Sequence, residues 1–202
     1  MAGISVLIIE ADDATAAGSF YKEAFDLGDT LRVREAQEPT SGFRGFTLSL
    51  VVSQPSTVEM LVQSALDAGA TAVKPPEKSF WGYGGVVQAP DGTIWTIASS
   101  SKKETGPPTR DVDEVVLLLG VEDVKATKAF YTGHGLAVGK SFGSKYVEFD
   151  TPGAAVKLAL YSRKAAAKNA GVPAEGSGSH RLRLVGDLGT LTDPDGFEWE
   201  AP

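Results

Sequence analysis

Two short patterns recur in the same order about a hundred residues apart, and nothing else constrains the chain so strongly. Ser19-Phe20-Tyr21-Lys22 returns as Ala129-Phe130-Tyr131-Thr132, at an offset of 110 residues. Ala89-Pro90-Asp91-Gly92-Thr93-Ile94-Trp95 returns as Asp193-Pro194-Asp195-Gly196-Phe197-Glu198-Trp199, at an offset of 104. Ordered repeats of this kind in a chain of 202 residues read as an internal duplication. Between the copies the sequence turns polar, with Gly and Pro and no apolar period, which reads as a linker. The expected organisation is a first module over 1–99, a linker over 100–111 and a second module over 112–202. Each module is then about 100 residues, an ordinary domain size.

Each half opens on a β-rich apolar run, Ile4 to Ile9 and Val112 to Val121, followed by acidic N-cap residues at Asp12 or Asp13 and at Asp123. Ala17, Phe20, Tyr21, Ala24 and Phe25 then fall at helical spacing, as Ala126, Ala129 and Phe130 do in the second half. Ser56-Thr57-Val58-Glu59 has the form of a capping box and leads a third helix through Leu61, Val62, Ala65 and Leu66 to Gly69. The rest reads as strands: 30–35, 46–52, 71–74, 85–88 and 93–98, then 138–142, 146–150, 156–161, 181–185 and 197–200. Pro90-Asp91-Gly92 and Pro194-Asp195-Gly196 suit tight turns into a final strand of each half. Glu175 to Ser179 reads as a flexible loop.

Composition closes off several classes of function. Nineteen basic against twenty-six acidic residues leave a formal charge of −7, without the basic field that nucleic acid needs. No cysteine is present, which excludes disulfides, thiolate metal sites and cysteine nucleophiles. The 42% hydrophobic and 22% charged residues are those of an ordinary globular chain, so no membrane partner is expected. The N-terminal apolar run has no basic residue before it and is shorter than a signal segment needs, so the expected location is cytoplasmic.

A strand, a helix carrying Phe-Tyr, several strands and a closing Pro-Asp-Gly-x-x-Trp strand together resemble the vicinal oxygen chelate superfamily. That superfamily includes glyoxalases, bleomycin-resistance proteins and extradiol dioxygenases. The likeness is sharpest over Glu10 to Leu27, Gly45 to Ala70, Lys74-Pro75-Pro76, Phe80 to Gly85, Val121 to Leu136 and Thr192 to Glu200. It implies an α+β fold of paired βαβββ modules forming cupped mixed sheets. Against that pattern the first half is short between Glu35 and Gly45 and the second between Val185 and Thr190, so each half can be an incomplete cup that the other completes. The resemblance also places metal ligands at Val6, Leu50, Val116, Thr96 and Glu200, of which Glu200 alone carries a donor. A catalytic metal ordinarily takes about three protein ligands, so no cofactor is expected. The alternative is a divalent metal, zinc, nickel, manganese or ferrous iron, held in part by His180 and Glu200. His134 lies in a helix-ending turn.

The candidate ligand-binding residues are Trp81, Tyr83, Arg44, Phe46 and Glu200. Trp81 and Tyr83 stand in a Gly-interrupted stretch where rings can stack on a guest or simply fill the core. Arg44, among apolar residues, is a strand residue reaching to water or a partner for a carboxylate or phenolate. Trp95 and Trp199 are expected in the core, facing the helices. The function expected is metal-free binding of a planar or aromatic small molecule. A metal-dependent glyoxalase-like lyase or dioxygenase is the alternative, and a non-catalytic structural or regulatory partner the third. Catalytic residues are not assigned, and monomer and homodimer are both open.

Overall fold

The computed structural model describes residues 3–80, 82–143 and 145–202. The first half runs β1 (Ile4–Ala11), α1 (Ala14–Ala24), a 3-10 turn (Gly28–Thr30), β2 (Leu31–Glu35), β3 (Thr40–Gly42), β4 (Phe46–Val51), α2 (Pro55–Asp67), β5 (Thr71–Lys78), β6 (Tyr83–Gln88) and β7 (Ile94–Ser99). The second runs β8 (Glu114–Val121), α3 (Val124–Gly133), β9 (Ala137–Phe142), β10 (Tyr146–Asp150), β11 (Val156–Ser162), α4 (Arg163–Ala170), β12 (Gly176–Gly178), β13 (Leu182–Gly186), β14 (Leu191–Thr192) and β15 (Glu198–Glu200). No described helix is long and apolar enough to cross a membrane.

Thirteen strands form one mixed sheet, and its pairing shows how the halves interlock. Two complete βαβββ units, β4-α2-β5-β6-β7 and β8-α3-β9-β10-β11, meet through antiparallel β4 and β8, from Phe46 opposite Leu119 to Val51 opposite Glu114. They make an eight-stranded cup. The remaining strands make a smaller one: β1 pairs antiparallel with β13, β2 lies parallel beside β1, and β15 and β14 follow β13. Each cup therefore draws on both halves of the chain. β3 and β12 pair separately, so the Gly-rich stretch read as a flexible loop is instead a short strand held against β3.

The helices form for the reasons their sequences suggest, with one correction. Asp13 caps α1 by accepting from the Ala16 amide at 2.8 Å, and Asp123 caps α3 by accepting from Lys125 and Ala126 at 2.9 and 3.1 Å. At α2 the expected capping box does not form. Gln54 is the N-cap, Pro55 occupies the first turn, where its missing N–H is harmless, and Glu104 from the 100–111 segment accepts from the Ser56 amide instead. Glu59 is drawn away to accept from the Tyr83 hydroxyl at 2.7 Å. The Gln54 carboxamide also accepts from the Thr105 and Gly106 amides at 2.7 and 3.0 Å, which straps that segment to α2.

The repeated motifs are bonded to each other. Tyr21 donates to Asp91 at 3.0 Å, and its ring packs 5.6 Å from Trp95. Tyr131 donates to Asp193 at 2.8 Å and accepts from the Trp199 indole at 3.2 Å. Both Trp residues are buried among the helices, as strand alternation requires. The copies differ in one respect: Tyr131 uses the residue before Pro194, which leaves Asp195 to accept from Thr127 at 2.6 Å and from the Glu122 amide at 2.7 Å. Burial holds both tyrosine hydroxyls well above their ordinary pKa, and the neighbouring aspartates add to it.

Helices α1, α2 and α3 cover one face of the sheet over a single large core. The other, inner face of the eight-stranded cup receives α4, which the sequence reading did not contain. Its side chains Ala166 and Ala167 pack on Leu118 and Ala159, and Ala170 packs beside Val86 and Ile94. Gly120 permits that approach, since a Cβ there would stand 3.1 Å from the Ala166 Cβ, the Arg163 Cα and the Gly45 carbonyl oxygen. The caps of α4 are legible in the sequence: Ser162 accepts from the Ala165 amide, and Gly171 closes the helix at φ 81°. What its alanine and lysine run lacks is the large apolar period by which a helix is recognised.

Candidate functional site

A cavity of about 390 Å³ opens at the end of the complete cup where β4 and β7 begin, between the Phe43–Gly45 loop, the Pro90-Asp91-Gly92 turn and the segment after α4. Arg44 and Phe46, both expected in the site, line it together with Phe43, Gln88, Thr93 and Ile94. Phe43 and Phe46 are themselves largely buried and supply apolar wall. The half-buried Arg44 guanidinium donates to the Asp91 carbonyl oxygen and, at 3.4 Å, to the Thr93 hydroxyl. Burial pulls its pKa below the ordinary range, the Asp91 charge opposes that, and the Arg181 charge adds to it. The cavity thus joins one cation, neutral hydrogen-bonding groups and aromatic surface, with one carboxylate, Glu175, exposed at its rim.

His180 braces the back of this loop. Its ring stacks on Phe197 with centroids 3.9 Å apart, and its two nitrogens face the carbonyl oxygens of Arg44 at 2.5 Å and Asp195 at 3.0 Å. A neutral imidazole carries one N–H and donates to one of these carbonyls at a time, so the ring is held between two backbone acceptors. Arg163, at the start of α4, donates to the carbonyl oxygens of Phe43 and Ala174 and lies 5.3 Å from the Phe43 ring centroid.

The other expected site residues stand elsewhere. Tyr83 has the parity of Val87, so it faces the helix side, where its hydroxyl meets Glu59. That hydrogen bond pushes its pKa up to about 12. Glu200 lies on the inner face of the five-stranded cup and accepts from Arg34 at 3.0 Å. Trp81 lies outside the described residues. Of the cavity's residues, Phe43 and Thr93 carry no role in the sequence analysis, and Gln88 is expected there only in the metal-dependent alternative, together with Glu148, His180 and Glu200. The Gly42-Phe43-Arg44-Gly45 spacing was the available signal, because both glycines adopt positive φ, 69° and 83°, and turn the two side chains inward.

The register also tests the metal positions. Thr96, Ser49, Val116 and Lys157 form one row across the four central strands of the complete cup. Ser49, not Leu50, is the residue in line; Leu50 is fully buried on the helix side. The matching row of the smaller cup is Val6, Val185 and Glu200. Two hydroxyls, three valines and one paired carboxylate make a poor donor set for a divalent metal. The fourth member of the first row is an ammonium, Lys157, whose hydrogen bond to Glu114 at 2.6 Å raises its pKa. Among the described residues no three His, Cys, Asp or Glu side chains gather to hold a metal. The residues present do not fit the metal that the resemblance implies.

No protein-family model matches the sequence, and no curated protein sequence matches it. Solved structures do match the fold. Glyoxalase I from Zea mays is 13% identical over 100% of this chain and 92% of its own, with a TM-score of 0.64. A candidate dioxygenase from Bacillus subtilis is 12% identical over 96% of this chain and 71% of its own, with a TM-score of 0.52. Together with the unit order, the interlocked cups and the paired Phe-Tyr and Pro-Asp-Gly-x-x-Trp motifs, these likenesses establish that the chain has the vicinal oxygen chelate fold, built as a tandem of modules.

Proposed function

We propose that the protein binds a small planar organic molecule in the Arg44 cavity, and does so without a metal. One observation carries the reading: the complete cup ends in a space of about 390 Å³ lined by Arg44 together with Phe43 and Phe46. Spaces of this size, mostly apolar and with a few directional polar groups, are the usual setting for a small ligand. Ring contact supplies affinity, and Arg44, Thr93 and Gln88 supply orientation. The donor-poor rows through Ser49 and Val185 support the metal-free part.

The test is a fragment screen by protein-observed NMR on chelator-treated protein, with metal content measured after separate incubation with zinc, nickel, manganese and ferrous iron. Planar aromatic fragments are expected to shift the amide signals of Gln88, Thr93 and Ile94, with no metal retained near one equivalent. Ser41→Trp, a bulky residue at an exposed position on the cavity rim, is expected to abolish the shifts. Stoichiometric retention of a metal, with binding only in its presence, would overturn the reading in favour of a lyase or dioxygenase. Absence of any fragment binding would favour a structural or regulatory partner.

A further inference from the structure

We propose that the occupant of this cavity is an organic anion whose carboxylate meets the Arg44 guanidinium while its flat body lies against Phe43 and Phe46. This rests on the cavity being a ligand site, and adds to it the charge class of the ligand.

The observation is a missing direct ion pair. Arg34, Arg181 and Arg183 each have a carboxylate partner, in Glu10, Asp12 and Glu198 respectively. Arg44 has none within 4.0 Å among the described residues, although it is half-buried. It donates to a carbonyl and a hydroxyl, two neutral acceptors. The nearby Asp91 carboxylate is occupied by the Tyr21 hydroxyl, the Thr93 amide and the Thr93 hydroxyl, all at 3.0 Å. A cation taken partly out of water without a paired anion is unfavourable, and an anionic guest relieves that cost.

The surrounding charges are mixed: Asp91 and Asp12 act in favour of the Arg44 cation and Arg181 against it, while Arg181 is itself paired with Asp12. Arg163, which holds the far side of the Phe43 loop, is likewise bonded to carbonyl oxygens. Among the described residues neither aspartate forms an ion pair with the Arg44 guanidinium, so direct contact with a carboxylate is left for a guest. The one acidic side chain on the cavity lining, Glu175, is exposed at the rim, where water screens it. A guanidinium matches a carboxylate with two parallel N–H donors, and among the described residues two of the five Arg44 N–H groups are engaged.

The test compares 2-naphthoate with its neutral isostere 2-naphthamide, by calorimetry and protein-observed NMR at low and high sodium chloride. The anion is expected to bind at least about tenfold more tightly, to weaken with salt, and to lose its advantage in Arg44→Gln while the amide is unaffected. Arg44→Lys should keep part of the preference. Equal binding of the two probes, an anion that is indifferent to salt, or a preference that survives Arg44→Gln would overturn the anion inference and leave the ligand site standing. If neither probe binds the wild type nor shifts the Gln88, Thr93 and Ile94 signals, the anion inference falls together with the site. The affinity ratio and the salt response are read on the wild-type protein, so an unstable variant does not blunt the test.

Discussion

The two cups share strand order at their joints and differ in what covers their inner faces. In the eight-stranded cup the inner face carries Thr47, Leu118, Ala159 and Ile94, and α4 lies across it on Ala166, Ala167 and Ala170. The five-stranded cup lacks the outer strands and any such helix, and its inner face is ionic. Glu10, on β1, accepts from Arg34 at 2.8 and 3.0 Å and from Arg183 at 3.1 Å; Arg34 also reaches Glu200, and Arg183 reaches Glu198. Burial works to raise the Glu10 pKa, but the hydrogen bonds from Arg34 and Arg183 outweigh it and hold the carboxyl below its ordinary range. A shortened sheet leaves its inner face too open to stay apolar, and paired charges tolerate water. The difference is why the proposed ligand is placed in the larger cup: in the smaller one the charges are paired with one another, whereas in the larger one Arg44 makes no direct ion pair among the described residues.

Breaking the ionic lattice should have the largest effect on stability. Glu10→Ala removes the carboxylate shared by two guanidiniums and is expected to cost about 3 kcal/mol, measured by urea unfolding. The same residue predicts a pH response. A carboxyl held below its unfolded value of 4.5 contributes stability that is fully present above that pH and is lost as pH falls through its folded value. Melting temperature should therefore drop below about pH 4.5, and less steeply in Glu10→Gln. An identical acid limb in that variant would mean that the smaller cup does not depend on this pairing.

Displacing α4 tests the larger cup. Gly120→Val puts a branched side chain against Ala166, Arg163 and the Gly45 carbonyl, and overpacking of that kind should cost about 2 kcal/mol. Hydrogen exchange should quicken over 163–170 and leave β1 and β13 protected. Uniform loss of protection would show that the cups do not open independently.

The smallest expected effect separates the repeated motifs. Tyr131→Phe strips Asp193 of a donor and the Trp199 indole of its acceptor in a buried site, at about 1.5 kcal/mol. Tyr21→Phe should cost less: both aspartates keep two other donors, but the Trp95 indole makes no hydrogen bond to Tyr21 that the change could break. Equal losses in calorimetric unfolding would remove that distinction between the two halves.

Much of this was readable from single residues. The caps at Asp13 and Asp123, the duplication and the inward Trp95 and Trp199 follow from local chemistry and period-two alternation, which neighbours in sequence decide. The site was readable only in part. Arg44 and Phe46 lie two residues apart and reached the same cavity, whereas Tyr83, on the helix-facing parity of β6, and Glu200, in the other cup, did not join them. The misplaced Leu50 shows why. A shift of one residue in register moves a side chain to the opposite face, and the alternation of Thr47 and Ser49 with the core residues Leu48 and Leu50 is the local signal that assigns Ser49 to the cup side.

By itself the sequence determined that the chain is a duplicated α+β protein, where its first three helices lie, which tryptophans enter the core and that cysteine chemistry is absent. Those properties rest on composition, period and capping, all carried by residues close together in the chain. Only the tertiary structure decided that each cup is shared between halves, that α4 occupies the inner face of one, that charges fill the other, and that Arg44 makes no direct ion pair among the described residues. Each of these depends on pairs such as Phe46 with Leu119, Glu10 with Arg183 or Gly120 with Ala166. Their separation along the chain leaves no periodic trace, and the energy that joins them exists only once the sheet has closed.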